Sequence, residues 1–392
     1  MRPNFRPHKN KKRRFNHVSK SASTIDLMRA ISNIKLIKND EEPEQMIIKN
    51  GFNDFGLTYQ VLNNIKSKGY TTPTPIQDQT IPIILRGQDV IGIANTGTGK
   101  TAAFLIPLIE KVFKNKHEKV IIITPTRELA VQIEQEFNDF SKGLNIKSVL
   151  CIGGLSIRVQ KENLKNNPNF VIGTPGRIKD LINEKSLFLS LFHSVVLDEA
   201  DRMVDIGFIS EIKYFISLMP QVRHSLFFSA TVSPKVNEIL RTFVKNPVKI
   251  SVKQQENAEN IHQDIIKLEN GYTKINKLHD LLAEKEFSKV LIFARTKWGV
   301  QRLTDELIKR GFKAGAIHGN KSQNQRQRVL EQFKNNQLQI LLATDVASRG
   351  LDIPDISHVI NYDMPSSMED YTHRIGRTGR ANKRGIALTF VE

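Results

Sequence analysis

Eight consecutive residues, Ala94-Asn95-Thr96-Gly97-Thr98-Gly99-Lys100-Thr101, set two glycines, a lysine and several hydroxyls between two apolar runs. The first run, Val90–Ile93, has strand character, and the stretch after Thr101 has helical character. Glycines let backbone N–H groups close around phosphate oxygens, and the N-terminus of the following helix adds a favourable dipole. Lys100 would reach the β- and γ-phosphates of a nucleotide and Thr101 would hold Mg²⁺, with Thr96, Gly97, Thr98 and Gly99 as the cradle. Ala94 stands where the general pattern has its first glycine, a mild departure.

Hydrolysis of a bound triphosphate needs a metal anchor and a base as well. Further along, the apolar run Val195-Val196-Leu197 ends in Asp198-Glu199. Strand ends of open α/β sheets are where ligands sit. Asp198 suits Mg²⁺ bound through water, and Glu199 suits the orientation and deprotonation of an attacking water. Two adjacent acids usually only coat a surface; behind a phosphate loop they complete a hydrolytic site. Upstream, Gln77 carries a side-chain amide that can both donate and accept, and Phe52 offers an aromatic ring.

Asp198-Glu199-Ala200-Asp201 completes a tetrad, and around it the chain resembles a DEAD-box RNA helicase of superfamily 2. The resemblance runs from about Phe52 to the C-terminus, with the family's motifs in order. Gly69-Tyr70 and Pro73-Thr74-Pro75-Ile76-Gln77, with Phe52 upstream, resemble the adenine-reading motif, which implies ATP rather than GTP. Pro125-Thr126-Arg127-Glu128-Leu129-Ala130, Gly153-Gly154 and Thr174-Pro175-Gly176-Arg177 resemble the nucleic-acid motifs of the first domain. Ser229-Ala230-Thr231 resembles the motif that links hydrolysis to strand separation. Ala343-Thr344-Asp345 through Arg349-Gly350-Leu351-Asp352, and His373 through Arg380, complete the set. Asn95 replaces the glutamine common in the family's loop but keeps an amide.

The resemblance implies specific roles. Arg377 and Arg380 become arginine fingers that reach the γ-phosphate only when two domains close, a device that contributes on the order of 10³–10⁵ in rate. Asp352 would bond the ribose, and His373 would pair with Asp201 across the closed cleft, joining Ser229 and Thr231 as coupling residues. Arg127, Gly154, Thr174, Gly176 and Arg177 in the first domain, with Gln323, Arg326 and Thr344 in the second, would meet the RNA backbone. Hydroxyls, amides and arginines suit phosphates and carry little base information, so weak sequence preference follows. The choice of RNA over DNA rests on the resemblance. The expected activity is ATP-dependent separation of short RNA duplexes, with hydrolysis resetting the enzyme. The same motifs would serve an ATP-gated RNA clamp. A DNA helicase or translocase of the superfamily is disfavoured by the adenine motif and the tetrad.

These residues need a scaffold that brings strand ends together. In the first half, Val90–Ala94, Val120–Thr124, Val149–Ile152, Phe170–Gly173, Val195–Leu197 and Leu226–Ser229 read as strands. In the second, Val290–Phe293, Lys313–His318, Ile340–Thr344, His358–Asn361 and Ile386–Val391 do. Near-continuous apolar strands alternating with helical stretches indicate parallel sheets covered on both faces. The fold expected is α/β, two tandem RecA-like domains. The first spans 46–252 and the second 261–392, joined by the polar run 253–260 and preceded by a mostly unstructured arm over 1–45. A short helix around Ile25–Ile37 is the one element expected in that arm.

Composition narrows the setting. The 392 residues carry a net charge of +18. Residues 1–20 hold eight Lys/Arg and no acid, leaving 50 basic against 40 acidic residues in the other 372. Such an excess favours polyanionic partners through counterion release, and the arm is expected to add non-specific RNA affinity. Charges at Asp26, Arg29, Lys35 and Lys38 break the apolar core that a secretory signal would need. No run of eighteen apolar residues is present, so no membrane partner is expected, and the single cysteine, Cys151, leaves no Cys-based zinc site. A cytoplasmic location and a ribosomal or messenger ribonucleoprotein setting are the expectation. The sequence runs only to Glu392, soon after the last strand, so the arm is the segment expected to serve targeting. Trp298, following Arg295-Thr296-Lys297, reads first as an apolar contact of an amphipathic helix, with base stacking as the alternative. Cys151 reads as core.

Overall fold

The computed structural model describes residues 48–95, 97–252, 261–268, 271–348, 353, 355–379 and 384–391. The arm, the linker 253–260, Thr96, Asp352 and Arg380 lie outside the described residues.

Two all-parallel sheets form the frame. The first contains β1 (Val90–Ala94), β2 (Val120–Ile123), β3 (Ser148–Cys151), β4 (Phe170–Gly173), β5 (Ser194–Leu197), β6 (His224–Ser229) and β7 (Val248–Val252). Its spatial order is β3-β4-β2-β5-β6-β1-β7. The central strands are buried along their whole length, as the apolar runs required, because helices cover both faces. On one face the helices Tyr59–Ser67, Pro75–Leu85, Lys100–Lys114 and Arg127–Phe140 bury Phe104, Phe137, Phe140 and Phe228 with Ile122 and Val196. On the other, Phe215, Phe227 and Phe243 pack with Ile121, Val195 and Met203. Each such ring removed from water contributes roughly 1.5–3 kcal/mol, which fixes the strand ends that carry chemistry.

The second sheet contains β8 (Ile261–Lys267), β9 (Val290–Phe293), β10 (Ala314–Ile317), β11 (Ile340–Ala343), β12 (His358–Asn361) and β13 (Gly385–Val391), in the order β10-β11-β9-β12-β13-β8. Leu282, Ile292 and Phe390 pack on one face; Phe293, Phe333 and Leu341 pack on the other.

The expected strands appear within one or two residues of their sequence boundaries, and two further strands, β7 and β8, join them. Both are edge strands. They alternate buried and solvent-facing positions instead of reading as continuous apolar runs. Cys151 is buried, and burial pushes its thiol up to about 12. Trp298 does not fill an amphipathic interface. It sits at the start of the helix Lys297–Lys309 with 70% of its surface exposed, while Val300, Leu303 and Leu307 supply that helix's buried face.

Candidate nucleotide and nucleic-acid site

Strand order sorts the candidate residues into two groups. At the C-terminal edge of the first sheet, β5, β6 and β1 are consecutive, and they end at Leu197, Ser229 and Ala94. The acids, the serine motif and the phosphate loop are therefore neighbours, although they are far apart in sequence. On the other side, β3, β4 and β2 are consecutive and deliver Gly153-Gly154, Thr174 and Arg127 to the same edge.

In the phosphate loop, Gly97 and Gly99 have φ of 86° and 92°, the left-handed region that favours glycine. Lys100 is buried at the first position of its helix and donates to the Ala94 carbonyl at 2.6 Å, which folds its amine back over the loop. Thr98 Oγ1 donates to the Asn95 carbonyl at 2.8 Å. Gln77 is locked in place from both ends of its amide: Oε1 accepts from Thr74 N–H at 2.9 Å and Nε2 donates to the Gly99 carbonyl at 3.1 Å. A Cβ at Gly99 would stand 2.4 Å from Gln77 Nε2, so a side chain there would have to displace the glutamine amide. The segment before Phe52 is tied to the same helix through Asp78, which accepts from Lys49 N–H at 2.9 Å and from the Asn50 side chain at 2.7 Å. Phe52 itself is 5% exposed, its ring set against Phe55 and Tyr70.

Asp198 is buried next to Lys100, Glu199 and Asp201. Desolvation pushes its carboxyl up to about 7; Lys100 opposes the rise and the two neighbouring acids add to it. Glu199 is a non-glycine residue in left-handed backbone, at φ 50° and ψ 51°, directly before the helix Ala200–Ile206. Strain of this kind persists only where the surroundings over-determine it. Its side chain is held by Arg202, whose Nη1 lies 3.0 Å from Oε2, both residues being 6% exposed. Asp201 Oδ2 accepts from Ala230 N–H at 3.1 Å, Thr231 N–H at 2.8 Å and Thr231 Oγ1 at 3.0 Å, while Ser229 Oγ accepts from Asp201 N–H at 3.2 Å. The tetrad and the serine motif are thus one hydrogen-bonded unit.

The nucleic-acid candidates also cluster. The Arg127 guanidinium lies so flat on Gly153-Gly154 that a Cβ on either glycine would stand 2.5–2.7 Å from it. Arg177 donates to the Leu155 carbonyl at 3.1 Å, Thr174 precedes the helix Pro175–Asn183, and Gly176 opens to free space. In the second domain Gln323 and Arg326 stand on the helix Gln323–Lys334, but they do not form an open face. Gln323 Nε2 reaches Glu128 Oε1 at 3.3 Å and Arg326 Nη2 reaches the same oxygen at 2.8 Å, joining the two domains. Thr344 is half-buried at the end of β11. Arg377 is buried, its Nε donating to the His373 carbonyl at 3.3 Å.

Sequence comparison agrees with this geometry. The DEAD/DEAH box helicase family matches residues 74–239, and the helicase conserved C-terminal domain matches residues 273–382. The chain is 43% identical over 341 residues to "ATP-dependent RNA helicase CshA" of Limosilactobacillus reuteri, covering 87% of this chain and 69% of that protein. The chain belongs to the DEAD-box ATP-dependent RNA helicases. This DEAD-box protein also superposes on S. cerevisiae Dbp5 bound to RNA and ADP BeF3. That match has TM-score 0.77 and 29% identity, covering 88% of this chain and 90% of that one. A DEAD-box protein from the hyperthermophile Methanococcus jannaschii is more identical, at 40%, yet superposes less well, at TM-score 0.52 over 88% of this chain and 94% of that one.

For a DEAD-box helicase, two side chains that hold candidate site residues escaped the sequence reading. Glu128 stood inside a recognised string and Arg202 directly after the tetrad, but what they touch depends on partners. An i,i+3 spacing from Glu199 on a helix was the one available signal for Arg202. Glu128 carried no such signal, because Gln323 and Arg326 belong to the other domain. Among the described residues, no helix is long and apolar enough to cross a membrane.

Proposed function

We propose that the helicase binds ATP between its two sheets and RNA across the adjoining strand ends, and that closure of the cleft couples the two. In this reading Thr96–Thr101 cradle the phosphates, with Lys100 on the β/γ oxygens. Gln77 reads adenine, and the Phe52 ring backs that pocket. Asp352 holds the ribose. Arg377 and Arg380 come from the second domain to the γ-phosphate.

The donor set suits Mg²⁺, which keeps several waters and takes phosphate oxygens, so that one or two protein oxygens suffice. Thr101 and Asp198 would supply them. The buried Asp198 carboxylate beside two further acids is a site that a divalent cation would relieve. When bound, Mg²⁺ would neutralise charge on the transferring phosphoryl group. Glu199, oriented by Arg202, takes the proton of the attacking water. Asp201, Ser229 and Thr231 pass the change at the acids to the strand ends, with His373 as the proposed contact from the second domain.

Arg127, Gly154, Thr174, Gly176, Arg177 and Thr344 would follow the RNA backbone, with Gln323 and Arg326 at the inter-domain joint. The arm 1–45 would add non-specific affinity, in a cytoplasmic ribosomal or messenger ribonucleoprotein. The observation that carries the proposal is the adjacency of β5, β6 and β1, which sets a buried acid pair beside the buried lysine of a phosphate loop. Closure is supported by the contact of Glu128 with Gln323 and Arg326 across the two domains and by the superposition on RNA- and nucleotide-bound Dbp5 at TM-score 0.77.

The test is steady-state ATP hydrolysis with no nucleic acid, single-stranded RNA and single-stranded DNA of equal length, with Glu199→Gln as the blank. Stimulation by RNA alone is expected. Lys100→Ala is expected to weaken ATP binding, and deletion of residues 1–20 to flatten the salt dependence of RNA binding. Equal stimulation by DNA would overturn the RNA assignment. RNA binding without stimulation would assign the protein as a clamp.

A further inference from the structure

We propose that Trp298 is a base-stacking platform for single-stranded RNA, so that this helicase grips at least one nucleobase in addition to the backbone. The proposal rests on the RNA-helicase reading and deepens it.

Trp298 is the only tryptophan of the chain, and 70% of its surface is exposed. A tryptophan ring is a large apolar group, and its natural place is in a core or against a ligand. The ring stands on the edge that carries the RNA candidates of the second domain. Because β10, β11 and β9 are consecutive and parallel, the segments after them emerge together. These segments are the loop leading to Gln323, the Thr344 turn, and the run Arg295-Thr296-Lys297-Trp298. All four residues of that run are exposed. Thr296 caps the helix, its Oγ1 accepting from Gly299 N–H at 2.9 Å, which fixes the backbone that presents the ring. Gln301, one turn further, bonds His318 at 3.1 Å and so anchors this helix to the loop that leads to Gln323.

The surroundings are cationic. Lys297 Nζ lies 6.0 Å from the Trp298 ring, and Arg302 is exposed one turn along the same face. Burial, with the charges of Lys321, Arg326 and Lys297, holds the His318 imidazole below its ordinary value; of these three cations Arg326 is already paired with Glu128. Of the nearby acids, Asp363 accepts from Arg295 N–H at 2.8 Å and is paired with Lys274 at 3.8 Å, and Asp305 accepts from Gln301 Nε2 at 2.7 Å. An exposed aromatic face within a basic groove is how single strands are held without sequence reading, since every base has a π-face. Phosphates on the cations and a base on the ring satisfy both features at once.

Because Trp298 is the only tryptophan, its emission reports on this position in the full chain. The experiment titrates the intact protein, with a non-hydrolysable ATP analogue, against an oligouridylate and an abasic strand of the same length. End-label anisotropy follows binding independently. Quenching by the oligouridylate but not by the abasic strand is expected. Trp298→Ala is expected to weaken oligouridylate binding by about 5- to 100-fold, to leave abasic-strand binding unchanged and to preserve ATP hydrolysis without RNA. Trp298→Phe is expected to retain most of the affinity. Unchanged emission on a strand that anisotropy shows to be bound would overturn the proposal, as would equal quenching by both strands. If no variant binds RNA and RNA stimulates no hydrolysis, the helicase reading itself fails, a result separable from the loss of stacking alone.

Discussion

Arg326 Nη2 lies 2.8 Å from Glu128 Oε1, an ion pair between the two domains whose side chains are 11% and 5% exposed. Glu128 lies in the first turn of the helix after β2, beside Arg127, which lies on Gly153-Gly154. One carboxylate therefore accepts from Arg326 and Gln323 while its neighbour shapes the proposed RNA path. Removing one partner of a buried pair leaves an uncompensated charge, which costs about 3–5 kcal/mol. Because the pair forms only when the domains meet, that cost falls on closure. Arg326→Ala and Glu128→Ala should each lower RNA-stimulated ATP hydrolysis by at least tenfold (~1.4 kcal/mol) and leave the thermal unfolding of each domain nearly unchanged. A double-mutant cycle on the stimulated rate should show strong non-additivity; additive losses would mean that the two residues act separately.

Arg202 makes a different kind of claim. Its Nη1 holds the Glu199 carboxylate at 3.0 Å behind a strained, left-handed backbone. Arg202→Ala should lower kcat by about 10² through loss of base orientation, a typical scale for general-base effects, with KM for ATP little changed. A drop in melting temperature with kcat intact would make the pair purely structural.

Gly99 links the loop to Gln77, the residue proposed to read the base. At φ 92°, any side chain there is strained by roughly 1–2 kcal/mol, and its Cβ would meet Gln77 Nε2 at 2.4 Å. Gly99→Ala should therefore push the glutamine amide away, raising KM for ATP and narrowing the preference for ATP over GTP. Side-by-side kinetics with both nucleotides would check this; a loss confined to kcat would locate the effect in the phosphates alone.

What could be read in the sequence was what is contiguous in it. The phosphate loop, the acid tetrad and the central strands are short strings whose chemistry or apolarity is complete within a few residues. β7 and β8 were missed because an edge strand has one neighbour and alternates polar with buried positions, as Lys249 and Ser251 do in β7. Glu128 was read only as part of a motif and Arg202 was not singled out at all, since the contacts that define them are assembled only by folding. Gln323 and Arg326 were placed on the RNA path without the carboxylate that they share. Trp298 was assigned to a helix interface because spacing alone does not say which face of a helix the sheet covers; Val300, Leu303 and Leu307 take that face.

Cys151 gives a test of how rigid the proposed nucleic-acid side of the first sheet is. Its thiol sits at the end of β3, and burial pushes it up to about 12, with Arg177 opposing the rise. An unfolded thiol ionises near 8.5–9, so between about 9 and 12 the unfolded chain gives up a proton that the folded one keeps. Stability must then fall as pH rises through that window, because the native state binds more protons. The thiolate is also the reactive form, so native Cys151 should resist iodoacetamide at pH 8.5 while the urea-unfolded chain is alkylated readily. Mass spectrometry of both samples reads the difference directly. Cys151→Ser keeps the size but adds a hydroxyl in an apolar strand, whereas Cys151→Ala abolishes ionisation, so the alanine variant should show a shallower alkaline slope between pH 9 and 11, with the buried Tyr371 hydroxyl, also pushed up to about 12, keeping part of it. Rapid alkylation of the native protein would show that β3 opens locally, and the Arg127–Gly154 surface beside it would then be a moving part of the RNA path.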